Sequence, residues 1–289
     1  MRHFRASDGA RIAYRDDGDG RPLVLLHGLM AHSGFFAGQQ PLAGDFRLIG
    51  VDLRGHGASA DAGGALTVEQ LAQDVSELAE ALDLDEAIGI GWSLGASVLW
   101  NVLSGPSGRR FAASVVVDMT ARVENVDGWD LGLSPDACAL RSAAIAADFD
   151  TFATAAGQAI FSQPISAAMR ETADWASREF ARNDGATIGA VWQSLVGEDF
   201  RPLLPRISQP TLIVHGRHSQ LYDAATAQYL ARALPNASDI EFAGSGHAPQ
   251  IEQSELFNKV IRDFADRPTR TPRPNARSKT QTQTQTHEI

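Results

Sequence analysis

The chain has 289 residues, 44% of them hydrophobic, a single cysteine and a net charge of -10 at neutral pH. Polyphosphate binding needs a basic face, so this balance argues against nucleic acid as a partner, and one cysteine forms no intrachain disulfide. No apolar run approaches the ~20 residues that cross a bilayer, and the first residues lead into polar sequence without a secretory apolar stretch. A cytoplasmic location without membrane insertion is expected.

Phe4 to Ala13, with Asp8-Gly9 at its centre, reads as an opening antiparallel hairpin. Asp16 to Gly20 then turn the chain into an apolar strand, Leu23 to Leu26, which ends in His27-Gly28-Leu29-Met30. Arg47 to Val51 is the next strand and runs into Asp52-Leu53-Arg54-Gly55-His56-Gly57. Thr67-Val68-Glu69-Gln70 matches a capping box, and Leu71, Val75, Leu78 and Leu82 follow at helical spacing.

Ala87 to Ile90 is a further buried strand, leading into Gly91-Trp92-Ser93-Leu94-Gly95, and Leu94 to Leu103 reads as the helix beyond it. A turn this tight tolerates little but glycine beside the serine, whose hydroxyl then projects above the sheet. The Leu94 amide opens the helix, where backbone donors and the helix dipole favour developing negative charge. Ala113 to Val117 is the next strand, and it ends at Asp118.

From Met119 to about Phe200 the strand pattern stops. Ser134-Pro135 opens one helix by cap and first-turn preferences, and helical segments are expected near 148–161, 165–182 and 186–196. Most apolar residues here pack helix on helix, while a few, Trp129 among them, are expected to line a pocket. Strands return at Thr211 to Val214, before His215-Gly216, and at Ile240 to Ala243, before Gly244-Ser245-Gly246-His247. Alternating strands and helices with short loops predict a mainly parallel sheet covered on both faces. The expected organisation is a core of residues 1–120 and 201–266, a helical insertion at 121–200, and a tail at 267–289. That tail carries five basic residues against Glu288, three prolines and a Gln-Thr repeat, so disorder is expected there.

In this order the motifs resemble the α/β-hydrolase superfamily from about Phe4 to Phe264, with the middle third matching loosely. The resemblance implies the eight-stranded α/β-hydrolase fold and makes the insertion a lid. It assigns Ser93 as nucleophile, His247 as base, and the amides of Leu29 and Leu94 as oxyanion donors. A serine needs a base to take its proton and a third group to orient that base. The family's usual acid lies three residues after the glycine that ends the seventh strand, and here that residue is Ser219. Some branches, including haloalkane dehalogenases and certain esterases, carry it after the sixth strand instead, where Asp118 stands. Asp118 is therefore the expected acid, with Asp223 its rival and an acid-free dyad a third arrangement.

Met30, Trp92 and Trp129 are the expected substrate-binding residues, with Trp92 either stacking on substrate or filling space beneath the elbow. No carboxylate or cysteine accompanies His215 and His218 at ligand spacing, so no metal is expected, and no cofactor is implied. The implied reaction is hydrolysis of a small-molecule carboxylic ester, thioester or lactone with an apolar acyl group, through an acyl-serine. A serine nucleophile stands against dehalogenase and epoxide-hydrolase chemistry, for which the family uses aspartate. Perhydrolase and carbon-carbon hydrolase activities share these residues, and Ser219 in the acid place would suit a non-catalytic ligand receptor. Oligomeric state is not legible.

Overall fold

The opening hairpin forms from β1 (Arg2–Arg5) and β2 (Arg11–Asp17), paired antiparallel, in a computed structural model that describes residues 1–266. The expected disordered tail at 267–289 lies outside the described residues. Six further strands follow: β3 (Arg21–Leu26), β4 (Phe46–Val51), β5 (Ala87–Trp92), β6 (Phe111–Val117), β7 (Thr211–Gly216) and β8 (Ala237–Phe242). They join one sheet in the order β1-β2-β4-β3-β5-β6-β7-β8, antiparallel at β1–β2 and β2–β4 and parallel elsewhere. Every residue of β5 and β7 is buried. Burial on both faces is why these strands read as unbroken apolar runs rather than as alternating patterns.

The helices are α1 (Val68–Ala81), α2 (Leu94–Ser104), α3 (Pro135–Ala147), α4 (Phe149–Ala159), α5 (Arg170–Ala181), α6 (Gly185–Gly197), α7 (Ala224–Ala233), α8 (Pro249–Glu252) and α9 (Ser254–Ala265). Side-chain caps start α1 and α3 where the sequence predicts. Thr67 Oγ1 accepts from the Gln70 amide at 3.1 Å, and Ser134 Oγ accepts from the Ala137 amide at 3.2 Å with Pro135 in the first turn. The helix expected from 165 begins later, because Ser166 is extended and a 3-10 turn, Ala167–Met169, precedes α5. Residues Ser33–Gly44 follow 3-10 geometry with Pro41 inside, a segment without helical periodicity to read.

Strand order decides where a ligand fits. β4 lies on one side of β3 and β5 on the other, so the chains leaving β3 and β5 diverge and open a crevice at the strands' carboxyl ends. The His27–Met30 turn and Ser93 stand at that crevice, and α3 to α6 enter the chain between β6 and β7. Among the described residues, no helix is long and apolar enough to cross a membrane.

Candidate active site

Ser93 joins β5 to α2 with φ 52° and ψ -119°. Both flanking glycines are required by contact: a Cβ on Gly91 would lie 2.5 Å from the Gly95 carbonyl oxygen, and one on Gly95 would run into the Leu26 carbonyl. Met30 (φ 65°) and Asp118 (φ 46°) share this left-handed backbone region with Ser93. Such geometry costs a non-glycine residue roughly 1–2 kcal/mol, so the surroundings must hold it. They do so through the sheet: the Ser93 amide donates to Val117 O at 3.0 Å, and the Asp118 amide donates to Val214 O at 2.8 Å.

His247 Nδ1 lies 2.6 Å from Asp118 Oδ2, and the two residues are 3% and 2% exposed. A carboxylate only accepts, so Nδ1 carries the proton and Nε2 of the neutral ring is left as an acceptor. Asp118 also receives the Ser219 hydroxyl at 2.6 Å and the Gly216 amide at 3.4 Å. Asp223 instead caps α7, accepting from the Ala225 amide at 2.9 Å and the Thr226 amide at 3.2 Å. The geometry therefore joins His247 to Asp118 rather than to Asp223.

The loop carrying His247 is tied at several points. Trp92 Nε1 donates to the His247 carbonyl at 2.8 Å. Glu252 accepts from the Gly246 amide at 2.6 Å and from the Ser162 amide at 2.8 Å, and its burial raises its carboxyl above the usual range. Beneath the β3 turn, His27 Nδ1 donates to Gly28 O at 2.8 Å while Nε2 accepts from the Leu53 amide at 3.0 Å. Burial, aided by neighbouring His56, pushes His27 down to about 3, and burial pushes His56 down to about 4. Both rings are neutral: His27 braces the turn that carries Leu29, and His56, which donates to Arg54 O at 3.0 Å, lies beside His27 with ring centroids 5.2 Å apart.

Ser93 and His247 line one cavity of about 170 Å³. Gly28, Leu29, Met30 and Trp92 complete its sheet side, while Phe152, Ile160, Phe180, Trp192 and Leu195 come from the inserted segment. Among the described residues Ser93 and His247 make no mutual hydrogen bond, which is common before substrate tightens such a site. Leu94 has a fully buried side chain, leaving only its backbone for the oxyanion role expected of it.

Trp129, expected on the cavity wall, is not there. Its indole Nε1 donates to Arg122 O at 2.9 Å, its ring meets Tyr229 edge-on at 4.8 Å, and the Arg201 guanidinium sits 5.3 Å over it. Packing on α7 therefore takes up this ring. Trp92 lines the cavity and packs on Phe35, with ring centroids 5.9 Å apart. Cys138 is buried and its thiol is pushed up by that burial, in keeping with a packing role.

Several residues at the site had not been singled out for it. Ser219 stands three residues after Gly216, and its hydroxyl donates to Asp118. Tyr222 places its ring 6.3 Å from His247, Asn183 donates to Met30 O at 2.8 Å, and Arg141 reaches the cavity from α3. Only Ser219 had a signal, its distance from Gly216; the others reach the site through folding alone.

The model of the Alpha/beta hydrolase family matches residues 23–260. A pimeloyl-(acyl-carrier protein) methyl ester esterase from Nitrosomonas europaea is 30% identical over 255 residues, covering 86% of this chain and 97% of that protein. The AB hydrolase superfamily protein YisY from Bacillus subtilis is 26% identical over 273 residues, covering 92% and 100%. The solved structure of an esterase from Exiguobacterium antarcticum aligns with a TM-score of 0.85 at 24% identity, covering 91% of this chain and 98% of that one. With a family match across most of its length and that family's sheet around its crevice, the chain belongs to the alpha/beta hydrolase family.

Proposed function

We propose that the protein is a serine hydrolase that cleaves a carboxylic ester, thioester or lactone through an acyl-serine intermediate. The observation that carries this reading is the 2.6 Å contact of His247 Nδ1 with Asp118, beside a cavity that Ser93 also lines. In the first step Ser93 Oγ attacks the substrate carbonyl carbon and passes its proton to His247 Nε2. The Asp118 carboxylate stabilises the imidazolium that forms, and the amides of Leu29 and Leu94 receive the oxyanion. Collapse breaks the bond to the leaving alcohol or thiol, which takes the proton from His247. Water then gives a proton to His247 and attacks the acyl carbon, releasing the acid and restoring Ser93.

Helices α3 to α6 act as the lid. A volume of about 170 Å³ lies below the ~300–1,000 Å³ of pockets for drug-sized ligands, which supports a compact acyl group. Ester hydrolysis is also the activity that the Nitrosomonas europaea relative's name states. Against the receptor reading, His247 keeps a carboxylate neighbour in Asp118, to which Ser219 also donates.

A fluorophosphonate probe and a panel of p-nitrophenyl esters from acetate to palmitate test this reading. Stoichiometric labelling and ester turnover, both lost in Ser93→Ala, are expected. A protein that neither labels nor turns over any ester in the panel overturns it.

A further inference from the structure

We propose that the cavity selects an acyl group bearing a carboxylate, held by Arg141; this rests on the ester-hydrolase reading above. Arg141 lies on α3 and lines the same cavity as Ser93 and His247. It is half-buried, and among the described residues it has neither an ion pair nor a hydrogen bond. Among the described residues, every other arginine that is not exposed has a partner, Arg262 with Asp45 included. Arg21 donates to Glu86 O, Arg47 to Asp16, Arg54 to Asp74, Arg110 to Asp83, Arg122 to Asp199, and Arg201 to Asp199. The other described arginines without a partner, such as Arg170 and Arg178, stand exposed in water. A guanidinium that is partly desolvated and unpaired is a cost unless an anion arrives to meet its donors.

The remaining charge in the cavity points the same way. Among the described residues no aspartate or glutamate lines it. Tyr222 on the wall is held neutral, since burial and the Asp118 carboxylate both raise its phenol. Glu124, which like Arg141 acts electrostatically on Cys138, makes no ion pair with Arg141. The cavity therefore offers an apolar lining with one fixed positive charge, which matches a short acyl chain carrying a single carboxylate. One planar guanidinium binds one carboxylate in a two-pronged fit.

The test compares p-nitrophenyl hemiesters of glutaric and adipic acid with the neutral butyrate and hexanoate esters, each by kcat/KM. Hydrogen bonds to charged groups predict a preference of about tenfold to a hundredfold for the acidic acyl group in the native protein. The ratio should collapse toward one in Arg141→Gln and be partly kept in Arg141→Lys; being taken within each variant, it cancels general losses of activity or folding. A native ratio near one, or a ratio unchanged in Arg141→Gln, overturns the proposal. Binding of monomethyl adipate to Ser93→Ala, measured by calorimetry with and without Arg141→Gln, separates the two readings. If no ester is cleaved yet this acid binds through Arg141, the hydrolase reading fails and the anion site stands. Cleavage of neutral esters with no Arg141-dependent binding leaves the hydrolase and removes the anion site.

Discussion

The wall that the sheet contributes to the cavity differs from the wall that the inserted helices contribute in how its groups are held. On the sheet side, Met30, Ser93 and Asp118 sit in left-handed backbone at the ends of β3, β5 and β6, each turn braced by neighbouring strands or buried rings. The polar atoms of Asp118 and His27 are matched to specific partners there. On the helix side the lining is apolar, with Phe152, Phe180, Trp192 and Leu195, and its one charged group, Arg141, lacks a partner. A rigid sheet edge suits groups that must hold reacting atoms to fractions of an ångström. A packed helical surface suits recognition, because its side chains change size without disturbing the turns behind Ser93 and Asp118.

If that division is right, replacements on the sheet side act on turnover and those on the helix side act on preference. Ser93→Ala should lower ester turnover by ~10⁴–10⁶ with little change in thermal midpoint; activity within tenfold of the native protein would remove Ser93 as the nucleophile. Asp118→Asn should lower it by ~10²–10⁴, because the base loses its orienting charge. Asp223→Asn is the control, since asparagine caps a helix about as well as aspartate and changes stability by a few tenths of a kcal/mol. The opposite ranking in kcat would move the acid to Asp223.

Ser219→Ala tests the supporting hydroxyl. Losing a donor to a charged group predicts a fall of about tenfold to a hundredfold in kcat, less than for Asp118→Asn. An effect on KM alone would make Ser219 a loop-shaping residue instead. On the helix side, Phe152→Ala opens the cavity and should shift relative kcat/KM toward longer acyl chains by about tenfold, the low end of what one methylene is worth in an apolar pocket. A panel whose members all fall in parallel would show that Phe152 holds up the site rather than measures the substrate.

A different readout, stability against pH, reports on the floor of the sheet side. Unfolded histidine takes its proton near pH 6.5, while His27 and His56 in the native fold refuse it until about 3 and about 4. Their stabilising contribution is therefore whole above pH 6.5 and lost as pH falls through that window, at up to about 1.4 kcal/mol per pH unit for each ring. Urea midpoints should decline from pH 7 to pH 5 and decline less steeply in His56→Gln. Identical slopes would place the acid sensitivity elsewhere.

Local chemistry made much of this legible in the chain alone. The apolar runs of β3, β5 and β7, the Thr67 and Ser134 caps, and the glycines around Ser93 each depend on neighbours a few residues away, and each forms where it was expected. The pairing of Asp118 with His247 crosses 129 residues, and the sequence placed both candidates without excluding Asp223. Only the parallel register of β5 to β8 brings Asp118 to His247 and seats Ser219 against it, while Asp223 caps α7. The same holds for Trp129, whose ring looked suited to a pocket and packs instead against Tyr229, and for Arg141, an ordinary helix residue by pattern. Periodicity reports which face of a helix is apolar. What that face meets depends on how the helices pack against one another and the sheet, and that is decided only when the whole chain has folded.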